Sequence, residues 1–159
     1  DTGNESTDTQ TDETEDAQVE AAYGYHAGDR LGDFSIKCID ESSFNLSDAK
    51  GKTVIIALFG TYSEDSLSQL DMLESVLKDH EDTELIAVCN HFSAGNPAEI
   101  AKERGWTFPV ALDGSDEKVF KLTGASIAVP RTVILDPDGI VLFNERGVLS
   151  AADIEAHLP

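Results

Sequence analysis

Basic side chains are scarce in this sequence: 11 Lys and Arg stand against 31 Asp and Glu in 159 residues, a formal net charge of −20. Nucleic-acid binding needs a basic footprint that displaces counterions, so no nucleic-acid partner is expected. The same balance argues against electrostatic docking on anionic lipid. Cysteine is scarcer still. Cys38 and Cys89 are the only two, and their separation matches no metal-ligand motif. The four histidines, His26, His80, His91 and His157, form no pair at helical spacing. No metal site and no cofactor are therefore expected. No run approaches the roughly 20 apolar residues of a membrane span. Neither an initiator Met nor a signal peptide is visible, which leads us to expect a segment upstream.

What is present suits one domain with a real core: 159 residues, of which 40% are apolar. The charge is uneven. Between Asp1 and Ala22 lie Asp1, Glu5, Asp8, Asp12, Glu13, Glu15, Asp16 and Glu20, with no Lys or Arg. Subtracting these eight from −20 leaves −12 for the remainder. A segment so acidic, rich in Thr and poor in large apolar residues, cannot offset its ordering entropy by burial. Residues 1–25 are expected to be a disordered acidic linker, read first as a solvated spacer with an acidic interaction arm as the alternative, and residues 26–159 the folded domain.

Period-two alternation in Phe34-Ser35-Ile36-Lys37-Cys38-Ile39 and in Phe44-Asn45-Leu46, around the turn residues Asp40 to Ser43, predicts a hairpin. Val54 to Phe59 is continuously apolar, as in a strand covered on both faces of a parallel sheet. Leu67, Leu70, Leu73, Val76 and Leu77 then form a helical stripe. Leu85 to Cys89 is a second buried strand, so strand, helix, strand implies a right-handed parallel crossover. Asn96-Pro97 starts a helix that Gly105 ends. Phe108 to Leu112 is extended. Ser115-Asp116-Glu117 is expected to open a further helix closed by Gly124. Thr132–Leu135 and Ile140–Phe143 flank Asp136-Pro137-Asp138-Gly139, a hairpin with a type I turn. Ser150, with Asp153 three residues on, caps a last helix. The sum is an α/β domain with a mixed central sheet, parallel in its middle and closed by an antiparallel hairpin.

Between the first buried strand and its helix stands Phe59-Gly60-Thr61-Tyr62-Ser63-Glu64-Asp65-Ser66. Together with Gly28-Asp29, Leu46-Ser47-Asp48, Gly51-Lys52, Phe108-Pro109-Val110, Val129-Pro130-Arg131-Thr132 and Asp136-Pro137-Asp138-Gly139, this order resembles the extracytoplasmic thioredoxin-like proteins of the TlpA/ResA type. The likeness covers roughly residues 28 to 158. It implies a thioredoxin-like three-layer α/β/α sandwich, with the N-terminal β-hairpin as an extension. Carried over, it puts Ser63 at the nucleophilic and Ser66 at the resolving cysteine position of a Cys-x-x-Cys pair. Tyr62 stands for the usual Trp. Pro130 matches a cis proline that faces the site, with Val129 pairing its backbone to an extended substrate. The partner implied is a disulfide or dithiol protein or peptide, met by a monomer outside the cytoplasm, as a membrane-tethered lipoprotein or a secreted form.

A hydroxyl forms no disulfide and does not ionise usefully near neutral pH, so the chain as written is expected to be redox-inactive, whether by natural loss or by engineered Cys→Ser change. The groove could still serve as a non-catalytic peptide-binding module. Ser63 is also a good helix cap, and Glu64 and Asp65 suit the positive end of a helix dipole. A serine nucleophile would need His91 as base, and the sequence offers His91 no acid partner. Cys89, at the end of an apolar strand, reads first as a buried inert thiol. A displaced redox role for Cys89, alone, with peroxide, or bridged to Cys38, is the alternative.

Overall fold

Val54–Phe59 contains no polar side chain because both faces of its strand are covered. In the computed structural model, which describes residues 21–91, 96–125 and 129–159, a short hairpin comes first: β1 (Ser35–Lys37) and β2 (Ser43–Asn45), paired antiparallel. A single 3-10 turn, Leu46–Ala49, follows. Then come β3 (Thr53–Phe59), α1 (Glu64–Leu77), β4 (Thr83–Cys89), α2 (Pro97–Arg104), β5 (Val110–Leu112), α3 (Lys118–Leu122), β6 (Arg131–Leu135), β7 (Val141–Arg146) and α4 (Ala151–His157). The main sheet has the order β5-β4-β3-β6-β7. β3, β4 and β5 are parallel, and β6 and β7 are antiparallel additions.

Alternation sorts the strand side chains into two cores. Ile55, Ala57 and Phe59 of β3 face Leu67, Leu70 and Leu73 of α1, with Ile154 of α4 and Trp106. Val54, Ile56 and Leu58 face Phe34, Cys38, Phe44 and Ala49 of the hairpin side and Val119 and Phe120 of α3. Each fully buried Leu or Phe contributes about 1.5–3 kcal/mol relative to exposure. The second face is therefore covered by one short helix and the hairpin, where the first face has longer helices.

The turn from β6 to β7 closes as its residues dictate. Gly139 takes φ 85°, its N–H donates to the Asp136 carbonyl at 2.9 Å, and the Asp136 carboxylate accepts from the N–H of Asp138 and Ile140. Asn96 caps α2 through Ala98 N–H, and Gly105 ends it with φ 71°.

Two expectations change. α3 is not capped from within Ser115-Asp116-Glu117. Glu117 precedes the helix in a left-handed conformation (φ 54°), and no side chain of its own caps it. The cap is the buried carboxylate of Asp113, which accepts from the N–H groups of Val119 at 3.1 Å and Phe120 at 3.0 Å. Folded contacts also begin before His26. Arg30 N–H donates to the Ala22 carbonyl, Gly24 N–H to that of Arg30, and Asn144 Nδ2 to that of Tyr25 at 2.8 Å. The rest of the expected linker, residues 1–20, lies outside the described residues.

Candidate functional site

Register decides what meets at the carboxyl edge of the sheet. Phe59 pairs with Cys89 and Cys89 with Leu112, so β3, β4 and β5 end together. Leu58 pairs with Arg131, the first residue of β6. The residues just beyond, Phe59-Gly60 on one strand and Val129-Pro130 on the other, therefore lie side by side. The Val129–Pro130 peptide is cis.

From β3 the chain turns over Gly60 to Ser63, whose N–H donates to the Gly60 carbonyl at 3.2 Å. Tyr62 folds back so that its ring lies over Gly60. A Cβ at position 60 would come within 2.8 Å of that ring, so any larger residue there would displace Tyr62. The Tyr62 hydroxyl accepts a hydrogen bond of 2.8 Å from Nδ2 of Asn90, a buried residue just past β4. The ring itself remains 52% exposed.

Ser63 is the N-cap of α1, with φ −114° and ψ 107°, and its Oγ accepts from Ser66 N–H at 3.2 Å. Glu64 and Asp65 occupy the first turn. Arg104 reaches Glu64 at 2.9 Å and Asp71 at 2.6 Å. Hydrogen bonding from that guanidinium, with its charge, holds the Glu64 carboxyl below its ordinary range. Ser66 is fully buried, and its Oγ has no hydrogen-bond partner among the described residues.

One side chain ties this helix to the proline strand. Gln69, 3% exposed, donates from Nε2 to Thr132 Oγ1 at 3.3 Å and accepts from Leu149 N–H at 3.0 Å. α1 returns antiparallel to β3 and so runs in the direction of β6. Ser66 is three residues before Gln69, about 4.5 Å along a helix. Pro130 is two residues before Thr132 on the same strand face, about 6.6 Å along a strand. The Gln69–Thr132 contact therefore sets Ser66 nearly level with Pro130. On the far side, Gly147 N–H donates to the Pro130 carbonyl at 2.8 Å. With Gly147 and Leu149 both anchored, Val148 between them stands 61% exposed.

The structure thus brings Tyr62, Ser63, Ser66, Val129 and Pro130 to one edge; Cys89 ends β4 at that same edge but is buried in the core under α1, and Cys38 lies in the opposite core. Among the described residues neither cysteine forms a disulfide, and both are buried. Cys38 bridges Ala111 of β5, whereas Cys89 lies in β4 on the other side of β5. Two interstrand spacings separate them by about 10 Å, beyond the roughly 7 Å a disulfide spans. They also belong to opposite cores. The bridge weighed between them is therefore excluded by the sheet. Burial pushes the Cys38 thiol up from its ordinary pKa, away from thiolate chemistry.

Gln69, Asn90 and Asp113 were not singled out in the sequence. Gln69 carried a signal, a polar residue inside the Leu67–Leu70–Leu73 stripe. Asn90 and Asp113 each follow an apolar strand and carried none beyond that. His91, expected near this edge, meets Glu117 Oε2 at 3.6 Å, a carboxylate that sequence distance had hidden.

With the geometry in hand, the comparisons with known proteins are informative. The model of the AhpC/TSA family matches residues 27–143. The chain belongs to that family. Over 140 residues it is 26% identical to the thioredoxin-like protein YneN of Bacillus subtilis strain 168, spanning 85% of this chain and 80% of that protein. Over 133 residues it is 25% identical to the thiol-disulfide oxidoreductase ResA of Geobacillus thermodenitrificans strain NG80-2, spanning 82% and 75%. Among solved structures, the pneumococcal exposed lipoprotein thioredoxin of Streptococcus pneumoniae strain TIGR4 superposes with a TM-score of 0.67 at 20% identity, over 79% of this chain and 96% of that one. The AhpC/TSA member described here has a thioredoxin-like fold with a mixed five-stranded sheet, and its matched relatives include thiol–disulfide oxidoreductases.

Proposed function

We propose that this chain is a redox-silent member of the thiol–disulfide oxidoreductase lineage, one that keeps the substrate-facing scaffold and lacks the sulfur. The observation that carries the reading is the buried, unpartnered hydroxyl of Ser66, level with Pro130 and behind the Ser63 cap. Disulfide exchange needs a thiolate attacking sulfur and a second thiol to resolve the mixed disulfide. Hydroxyls at 63 and 66 supply neither step, and the two thiols present are buried in the two cores.

A second reading is favoured by the exposed side chains at the same edge: the groove retains binding. Tyr62 and Val148 remain open beside Val129, whose backbone is the element that pairs an extended segment in the family resemblance. On this reading the partner is a disulfide- or dithiol-bearing protein or peptide that is held and not converted. An extracytoplasmic setting is part of the proposal, supported by the exposed lipoprotein among the solved neighbours.

The test is insulin disulfide reduction by the full chain and by Ser63→Cys/Ser66→Cys, with dithiothreitol as electron donor. The chain as written is expected to give no rate above background, and the double variant a clear one. A rate from the unaltered chain would overturn redox silence. A folded double variant without activity would overturn the assignment of 63 and 66 to the dithiol positions.

A further inference from the structure

The charge around this edge is lopsided, and it bears on which segments the groove admits. Asp65 and Asp116 are exposed, and Glu117 is half-buried beside His91, which adjoins the Asn90 that holds Tyr62. Glu145 is exposed on β7. Against these four carboxylates stand two guanidiniums. Arg131 is already engaged with Asn144 Oδ1 at 2.6 Å, and Arg146 is exposed. Glu64 is offset by Arg104 and drops out of the balance. Lys118 is turned away to the Ser35 carbonyl at 3.1 Å.

We propose that the edge formed by Tyr62, Val129 and Val148, with Ser66 buried behind it, selects an extended partner segment that is apolar at its centre and flanked by Lys or Arg. This rests on the binding reading above. The carboxylates alone would be an ordinary solvated rim. What points to a ligand is the buried Ser66 hydroxyl without a partner, beside two large apolar side chains left exposed at the same edge. The carboxylates then decide which flanks are tolerated. A long-range field of the same sign, from a domain with about twelve excess negative charges once the first segment is set aside, steers cationic segments toward the edge and repels acidic ones.

The probe is a seven-residue peptide with a Val-Thr-Val centre, made with Lys-Lys, Ser-Ser or Glu-Glu at both ends. Binding to the full chain is followed by Tyr62 and Val148 resonances at low and at high salt. The lysine-flanked peptide is expected to bind roughly tenfold tighter than the glutamate-flanked one at low salt. The ratio should shrink toward unity at about 0.5 M salt, where screening is strong. Asp65→Asn/Asp116→Asn should reduce the ratio without lowering affinity for the serine-flanked peptide. Equal binding of all three peptides would overturn the charge selection and leave the groove reading intact. Failure of all three to bind would overturn both.

Discussion

Two helices of this molecule begin with serine, and they begin differently. At α4 the start is reciprocal: Ser150 Oγ accepts from Asp153 N–H, and the Asp153 carboxylate accepts from Ser150 N–H, both at 3.1 Å. Every group there is used, and the pair is exposed. At α1 the first half is the same, with Ser63 Oγ accepting from Ser66 N–H at 3.2 Å. The second half is missing. The residue at the Asp153-equivalent position is Ser66, which is fully buried and whose hydroxyl meets no partner among the described residues. Helix capping explains Ser63 and leaves Ser66 unexplained. An apolar-tolerant, buried position at the start of a helix, level with the cis proline, suits a thiol better than a hydroxyl, because a thiol is the weaker hydrogen-bonding group and is among the most readily buried.

The comparison breaks most visibly if sulfur is put back. Ser63→Cys/Ser66→Cys should turn a chain with no insulin-reducing activity into one with a measurable rate, while cysteines placed at Ser150 and Asp153 should yield no such rate. Next in size is transplanting the α4 logic. Ser66→Asp would complete a capping box on paper. It would also bury a carboxylate with no cation beside it, and should cost about 3–5 kcal/mol in chemical denaturation. Asp153→Ser at the exposed α4 start should cost only about 0.5–1 kcal/mol. Similar losses at the two sites would mean that burial does not distinguish them.

Periodicity and caps carried most of the fold. The β3 run, the Leu67–Leu70–Leu73 stripe, Asn96-Pro97, the Asp136–Gly139 turn and Ser150 each announce themselves within a few residues, because local backbone chemistry decides them. The hairpin and the mixed sheet followed. What failed to show was non-local. Asp113 caps α3 from outside the expected Ser115–Glu117 start because a left-handed Glu117 re-aims the chain, and no propensity marks that. Tyr23 to Tyr25 join the fold through contacts with Arg30, Asn144 and Gly124, the last two far along the sequence. At the site, Tyr62, Ser63 and Pro130 were legible only through a resemblance. The Gln69 link that holds Ser66 level with Pro130 depends on a contact 63 positions apart.

Smaller changes sharpen the same contrast. Ser66→Ala removes an unsatisfied buried hydroxyl and should be neutral or stabilising by about 1 kcal/mol, whereas Ser63→Ala and Ser150→Ala should each cost about 1 kcal/mol. A loss at Ser66→Ala as large as at Ser63 would show that its hydroxyl has a partner after all.

The finest distinction is in acid. Hydrogen bonds from the Ser150 backbone and hydroxyl side hold the Asp153 carboxyl below its ordinary value near 3.8. Such a group binds fewer protons when folded than when unfolded. Its stabilising share is therefore complete above about pH 4 and disappears as pH falls through the lower folded value. Glu64, lowered by Arg104, behaves with the same sign at α1. Melting curves between pH 5 and 2 should fall less steeply for Asp153→Asn and for Glu64→Gln than for the unaltered chain. The two effects should separate in salt. The Glu64 effect, resting on an exposed ion pair, should fade at about 0.5 M, while the Asp153 effect, resting on short hydrogen bonds within one turn, should persist. Equal salt sensitivity would mean that the two helix starts are held by the same electrostatics.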